Sequence, residues 1–303
     1  MFTNPVASEL FLPTVYSVGG LLAMALVALL IRSRGRWPRL RDDVLFHRWR
    51  TWAVIAPVYV LAVLGGQAPT VVMVSLLILQ GLHEYGRLVG LNRNFQIVLL
   101  AMGAAAAPVA WVSIDAFRIL PPLLLMVATL QPLLFGGSKA NVRDLAFGAL
   151  GWGLIAWFLA HLMLTLIYVD EGPALLLILG LSVALSDVGA FVTGKAFGKH
   201  KFAPRISPNK TWEGVLGSVI GAYLGVGLMF FAVPDKSLWL LLSVFPLVIA
   251  LGAVWGDLIE SAIKREFGAK DAGGWLPGFG GILDRIDSLL IAAPLTYYFL
   301  IAV

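Results

Sequence analysis

The residues best able to do chemistry crowd into the last third of the chain. Asp257, Glu260, Ser261 and Lys264 follow an i, i+3, i+4, i+7 spacing, so on a helix they share one face. Asp284 and Asp287 share a face of the next helix in the same way. The loop between, Arg265 to Leu283, carries Gly268, Gly273, Gly274, Gly278, Gly280 and Gly281, and its backbone N–H groups can fold against an anion. Facing carboxylates from two adjacent helices can hold a hard divalent cation such as magnesium through oxygen ligands. Carboxylates, a lysine and backbone amides together suit phosphoryl or nucleotidyl transfer, where a metal neutralises charge on the transferring phosphorus and the departing pyrophosphate.

A second segment, Gly194 to Gly214, supplies Lys195, Lys199, Lys201, Arg205 and Lys210. Its run Ser207-Pro208-Asn209-Lys210-Thr211 places hydroxyls and an ammonium just before a helix. Thr211 or Asn209 can cap that helix, with Glu213 in its first turn, and a helix N-terminus attracts anions. By itself a basic loop is usually a topogenic signal. Paired with the carboxylates across the same face, it becomes a candidate triphosphate clamp. Asp187 lies near the same face. The competing reading of the whole group is a set of internal ion pairs with Lys264 and Arg285. Gly189 to Lys195 spells G-x-x-x-x-G-K, but Ala196 follows where a P-loop needs Ser or Thr, and the motif ends an apolar helix instead of following a strand, so a P-loop is rejected.

The elements that must position these groups are membrane helices. Of 303 residues, 59% are hydrophobic and 13% charged, against about 25% charged in a soluble domain. A hydrocarbon core about 30 Å thick needs roughly 20 apolar helical residues. Ten such stretches run at 11–31, 51–66, 70–83, 95–113, 119–136, 145–169, 173–193, 213–233, 238–262 and 283–303. The third is short enough to be tilted or re-entrant. The first is too long for a signal peptide and lacks a basic stretch before it. With no cysteines, disulfide and thiolate chemistry are excluded. The expected fold is therefore an all-α polytopic bundle of about ten transmembrane helices.

Of the 22 basic residues, only Arg118 and Lys236 fall on one side of this arrangement. The positive-inside bias then puts both termini on the non-cytoplasmic side and the charged loops in the cytoplasm. The net charge of +5 faces anionic lipid headgroups, and nucleic acid is not an expected partner. Residues 1–140 are expected to form an N-terminal helical region with an Arg-rich cytoplasmic loop at 32–50, and residues 141–303 a catalytic region with cytoplasmic loops 194–213 and 264–285. His83 and Glu84 end the third stretch, where a polar side chain is most simply solvated. Trp37, Trp49, Trp52, Trp212, Trp239 and Trp275 lie near predicted ends as interfacial anchors. Gly217, Gly221 and Gly225, four apart, mark a face for close helix packing, either within the chain or in a homodimer.

At these residues the chain resembles the phosphatidate cytidylyltransferase (CDP-diacylglycerol synthase) family. The matching positions are Ser261, Lys264, Arg265, Lys270, Asp271, Gly273, Leu276, Pro277, Gly278, Gly280, Gly281, Asp284, Arg285 and Asp287. The earlier loop is similar to the family's at Asp187, Gly194, Lys195, Phe197, Gly198, Ser207, Pro208, Lys210, Thr211, Glu213 and Gly214. The likeness covers residues 140–303 firmly. It implies transfer of CMP from CTP to phosphatidic acid, giving CDP-diacylglycerol and pyrophosphate, at the cytoplasmic face of a bacterial inner membrane. Asp257 and Asp284 would then hold magnesium, with a second cation as an added option. Lys264, Lys270, Lys210 and Arg285 would bind phosphates, and Ser207 and Thr211 would complete the clamp, with Lys195, Glu213 and Ser261 among the substrate contacts. Asp187, Glu260, Asp271 and Asp287 are further candidates for metal or cytosine contacts. Phe279 departs from the family, which has histidine there. The competing functions are a CTP-dependent kinase of a polyprenol-type lipid alcohol and an ion-coupled transporter, although the charges gather at one interface and not at mid-membrane.

Overall fold

The computed structural model describes residues 2–35, 40–134, 142–273 and 280–303, with the side chains of 131–134 set aside. Arg36, Trp37, Arg39, Lys139, Gly274, Trp275, Leu276, Pro277, Gly278 and Phe279 lie outside the described residues. Helices dominate, because apolar runs leave the backbone no water to bond with and each N–H must find its partner within the segment. They are α1 Phe11–Arg32, α2 Val44–Leu64, α3 Gln67–Leu88, α4 Arg93–Val112, α5 Ile114–Leu134, α6 Val142–Tyr168, α7 Gly172–Phe197, α8 Trp212–Leu228, α9 Leu238–Ser243, α10 Phe245–Glu266 and α11 Leu283–Ala302. Among the described residues, six helical stretches are long and apolar enough to cross a membrane, with α9 and α10 counted as one. The chain is an integral membrane protein.

Local chemistry sets the departures from the expected boundaries. The third helix is a full 22 residues. Gly66, at φ 92°, reverses the chain tightly after α2, and Thr70 donates its hydroxyl to the carbonyls of Ala62 and Gly66. The ninth stretch breaks at Val244 before Pro246, which cannot donate to the preceding turn. Trp152–Trp157 of α6 winds as a π-helix.

The helical bundle carries one small hairpin. In the basic segment read as loop, β1 Lys201–Ala203 and β2 Ser207–Thr211 pair antiparallel, with Lys201 opposite Thr211 and Ala203 opposite Ser207. Pro204 starts the turn and Ile206 donates to the Ala203 carbonyl at 3.1 Å. Phe202 and Trp212 meet edge to face at 4.5 Å between centroids, which holds the hairpin against the start of α8. Trp49 is likewise more than an anchor, since its indole N–H donates to Leu22 O at 2.8 Å and ties α2 to α1.

One buried apolar core runs from Val60 of α2 through α3, α4, α6 and α7 to Tyr297 of α11. The Gly217, Gly221 and Gly225 face packs within the chain, on α7. A Cβ at Gly221 would stand 2.1 Å from Leu185 O, and one at Gly225 would stand 2.4 Å from Ser182 Cα. Backbone contact this close is what small residues permit between membrane helices.

Candidate active site

Helices α10 and α11 approach as closely as backbone allows. A Cβ at Gly256 would lie 2.2 Å from Asp287 O, and one at Gly252 would lie 2.5 Å from Ala292 Cα. That contact lays the charged last turns of α10 beside the first turn of α11. Lys264 Nζ reaches Asp284 Oδ1 at 2.7 Å and also pairs with Glu260, one turn earlier on its own helix. The three side chains are 12%, 4% and 2% exposed, so they form a buried ionic triad. On the same face of α10, Asp257 stays 37% exposed and accepts a 3.4 Å bond from Ser261.

The opposite charge on Asp257 comes from the hairpin. Lys210 Nζ lies 2.5 Å from Asp257 Oδ2, joining β2 to α10. Thr211, the next residue, is 3% exposed and accepts the Gly214 N–H at 3.1 Å, so it caps α8. The alternation along a strand turns one side chain to the carboxylates and the next to the helix end. From α7, Asp187 accepts the Ser288 hydroxyl at 2.9 Å, which brings it beside Asp287 on α11. Asp187, Asp257 and Glu260 lie within electrostatic reach of Asp287, and Asp257, Arg285 and Lys210 within reach of Asp187.

The loop between α10 and α11 is organised by two carboxylates. Asp284 accepts from Ala272 N–H at 3.2 and 3.0 Å and from Gly281 N–H at 2.7 Å. Glu84, from α3 and nearly 200 residues earlier, accepts from Ile282 N–H at 3.1 Å and Leu283 N–H at 2.8 Å. It is 5% exposed. Gly280 stands at φ 81°, where an L side chain is strained, and its Cβ would meet Asp284 Oδ2 at 2.7 Å.

A model of the cytidylyltransferase family fits residues 46–303. The chain belongs to the cytidylyltransferase family. It is 31% identical over 305 residues to the uncharacterized protein YnbB of Escherichia coli (strain K12), covering 94% of this chain and 97% of that one. It is 44% identical over 133 residues, 44% of this chain, to the phosphatidate cytidylyltransferase of Staphylococcus aureus (strain COL). A similar match, 44% over 135 residues and again 44% of this chain, links it to the phosphatidate cytidylyltransferase of Staphylococcus saprophyticus. These matches span about half the length of the two staphylococcal proteins, 51% and 52%.

The predicted site residues divide into several groups. Lys210, Asp257, Glu260, Ser261, Lys264, Asp284, Asp287 and Asp187 converge as described, with Arg285 among them. Lys270 and Asp271 are exposed on the loop, and Asp271 borders Asp284 through Gly280. Ser207 is half-buried at the far end of β2 from Thr211. Glu213 instead pairs with His200, whose Nδ1 lies 2.7 Å away, and Lys195 lies exposed over the Phe191 ring. The ion-pair reading also holds for Lys264, whose charge is shared by two carboxylates. Glu84, expected to be solvated, is instead buried at the site. Its signal in the sequence was an ionisable residue ending an apolar helix four residues after Gln80, which donates to it at 2.9 Å.

A divalent cation fits this cluster unevenly. The five carboxylates of Asp187, Asp257, Glu260, Asp284 and Asp287 face three cations, Lys210, Lys264 and Arg285, leaving an excess of formal negative charge. Asp257 is accessible and oxygen-rich surroundings suit a hard ion. Asp284, by contrast, has both oxygens engaged by amides and Lys264, and among the described residues no three acidic or histidine side chains converge closely enough to hold an ion.

Proposed function

We propose that this member of the cytidylyltransferase family transfers CMP from CTP to phosphatidic acid, forming CDP-diacylglycerol for phospholipid synthesis and releasing pyrophosphate. The observation that carries this reading is the pairing of Lys210 with Asp257 and of Lys264 with Asp284 at one end of α10 and α11. Both lysines come ready to exchange a carboxylate for a phosphate oxygen. The partial likeness to two phosphatidate cytidylyltransferases supports the choice of lipid.

In this reading a phosphate oxygen of the lipid attacks the α-phosphorus of CTP. A new P–O bond forms as the bond to the β-phosphate breaks, and the electron pair leaves with pyrophosphate. The lipid phosphate is already an anion, so positioning supplies most of the rate and no general base is obligatory. Lys210, Lys264, Lys270 and Arg285 would hold the phosphates. Asp257 and Asp284 would hold magnesium, which would supply neutralisation of the charge on the departing pyrophosphate. The charged ends would face the cytoplasm of a bacterial inner membrane in a ten-span chain with both termini outside, as the distribution of Lys and Arg favours.

The test is purified protein in lipid micelles with phosphatidic acid, magnesium and CTP labelled at either the α- or γ-phosphate. Lipid labelled from the α-phosphate is the expected result. Label from the γ-phosphate on a polyprenol would make the chain a lipid-alcohol kinase instead, and no lipid label from either would overturn the reading.

A further inference from the structure

The N-terminal half also reaches the site. We propose that Glu84 of α3 is a positioning residue for the CMP transfer: its carboxylate holds the first amides of α11 and so sets where that helix presents Asp284, Arg285 and Asp287. This rests on the proposed transfer at the same site.

Three observations carry it. The start of α11 has no side-chain cap of its own, since Ile282 stands at the N-cap. Asp284 takes the Gly281 amide, but those of Ile282 and Leu283 go to Glu84, at 3.1 and 2.8 Å. Unpaired amides at a buried helix end would be costly, and the positive end of a helix favours an anion there.

The loop also closes around this carboxylate from both sides. A Cβ at Gly273 would lie 2.9 Å from Glu84 Oε1, and one at Gly281 would lie 2.3 Å from Oε2. Glu84 therefore acts as a post against which the two ends of the glycine-rich loop are drawn together.

The post is itself held rigid. Gln80 donates to Oε1 at 2.9 Å. One turn of α3 packs directly on α11, where a Cβ at Gly81 would meet Ile286 Cδ1 at 3.2 Å and Leu283 Cδ1 at 3.9 Å. A shift of the Glu84 carboxylate passes straight to the turn bearing Asp284 and Arg285. Misplacing reacting groups by about 1 Å can lower a rate by roughly a hundredfold.

Glu84→Gln tests this with volume preserved. The new NH2 faces one of the two amide donors, so one hydrogen bond becomes a clash of donors. The full-length variant is expected to lose at least about tenfold in kcat, with KM for CTP held within about threefold, because placement and not nucleotide affinity is damaged. Its unfolding temperature in detergent should stay near that of wild type. Independently of catalysis, trypsin should cut after the exposed Lys270 at least about fivefold faster, as the loop loses its post.

A kcat within twofold of wild type would overturn the proposal. So would a fall in kcat matched by loss of folded protein, which marks a purely structural residue. Should wild type transfer no CMP, the function proposed above fails, and trypsin still decides about Glu84: unchanged cleavage after Lys270 overturns its role in holding the loop.

Discussion

Lys264 gives the sharpest test because it has two separable duties. As a counter-ion it lies between Glu260 and Asp284, whose side chains are 2% and 4% exposed. Lys264→Met keeps an unbranched side chain one atom shorter and removes the charge. Breaking a buried ion pair by removing one partner costs about 3–5 kcal/mol. Here the two carboxylates suffer unequally. Asp284 keeps its amide donors from Ala272 and Gly281, each charge-assisted bond being worth about 1.5–3 kcal/mol. Among the described residues, no backbone N–H reaches either oxygen of Glu260. The loss therefore falls mainly on Glu260, and about 3 kcal/mol is expected, at the low end of the range. Adding Glu260→Gln removes the stranded charge and should restore more than about half of that stability, a coupling typical of residues in direct contact. Transfer should not return with it, because the double variant still lacks the ammonium that receives a phosphate. Thermal unfolding in detergent and α-labelled CTP turnover, measured on both variants and wild type, separate the two duties. If turnover recovers in step with stability, Lys264 is only a counter-ion and its assignment to phosphate binding is wrong.

Other outcomes follow from the same geometry. Asp257→Asn should lower turnover more than about tenfold, ~1.4 kcal/mol of transition-state stabilisation, and raise the magnesium needed for half-maximal rate; normal turnover with an unchanged magnesium curve would remove Asp257 from the ligand set. Because the chain has no cysteine, Lys236→Cys offers a single label site, expected to react with an impermeant maleimide from the non-cytoplasmic side only. Phe279→His should change the transfer rate by less than about tenfold, since an anionic lipid phosphate needs no imidazole base; strong rescue of an inactive wild type would instead mark another substrate.

Much of this architecture could be read in advance because membrane helices announce themselves by length and apolarity. The shared face of Asp257, Glu260, Ser261 and Lys264 follows from helical geometry alone, whereas the cap of α8, open between Thr211 and Asn209 in the sequence, is Thr211. What stayed hidden depends on partners distant in the chain. Nothing local to Glu84 says that it meets the amides of residues 282 and 283, and nothing local to Lys264 says that its charge is divided between two carboxylates. The hairpin at 201–211 was obscured by its own composition. Lysine, proline and asparagine read as solvated loop, yet Pro204 starts the turn, and the Phe202–Trp212 ring contact and the Thr211 cap hold the strands to α8. Glu213 was drawn to the site by its place in the motif, while His200, one residue before the hairpin, engages its carboxylate through its backbone N–H and its ring Nδ1.

The mutual neutralisation of Lys210 and Asp257 has a consequence for how this site senses its ligands. Any anion that draws Lys210 away exposes the Asp257 carboxylate, and any cation that settles on Asp257 releases Lys210. The two events share one free energy, so each must strengthen the other by the same factor. Whichever species binds first bears the cost of parting the ion pair, and the second then binds without it. In the proposed transfer the pair would therefore couple nucleotide to cation through a single contact between a strand and a helix.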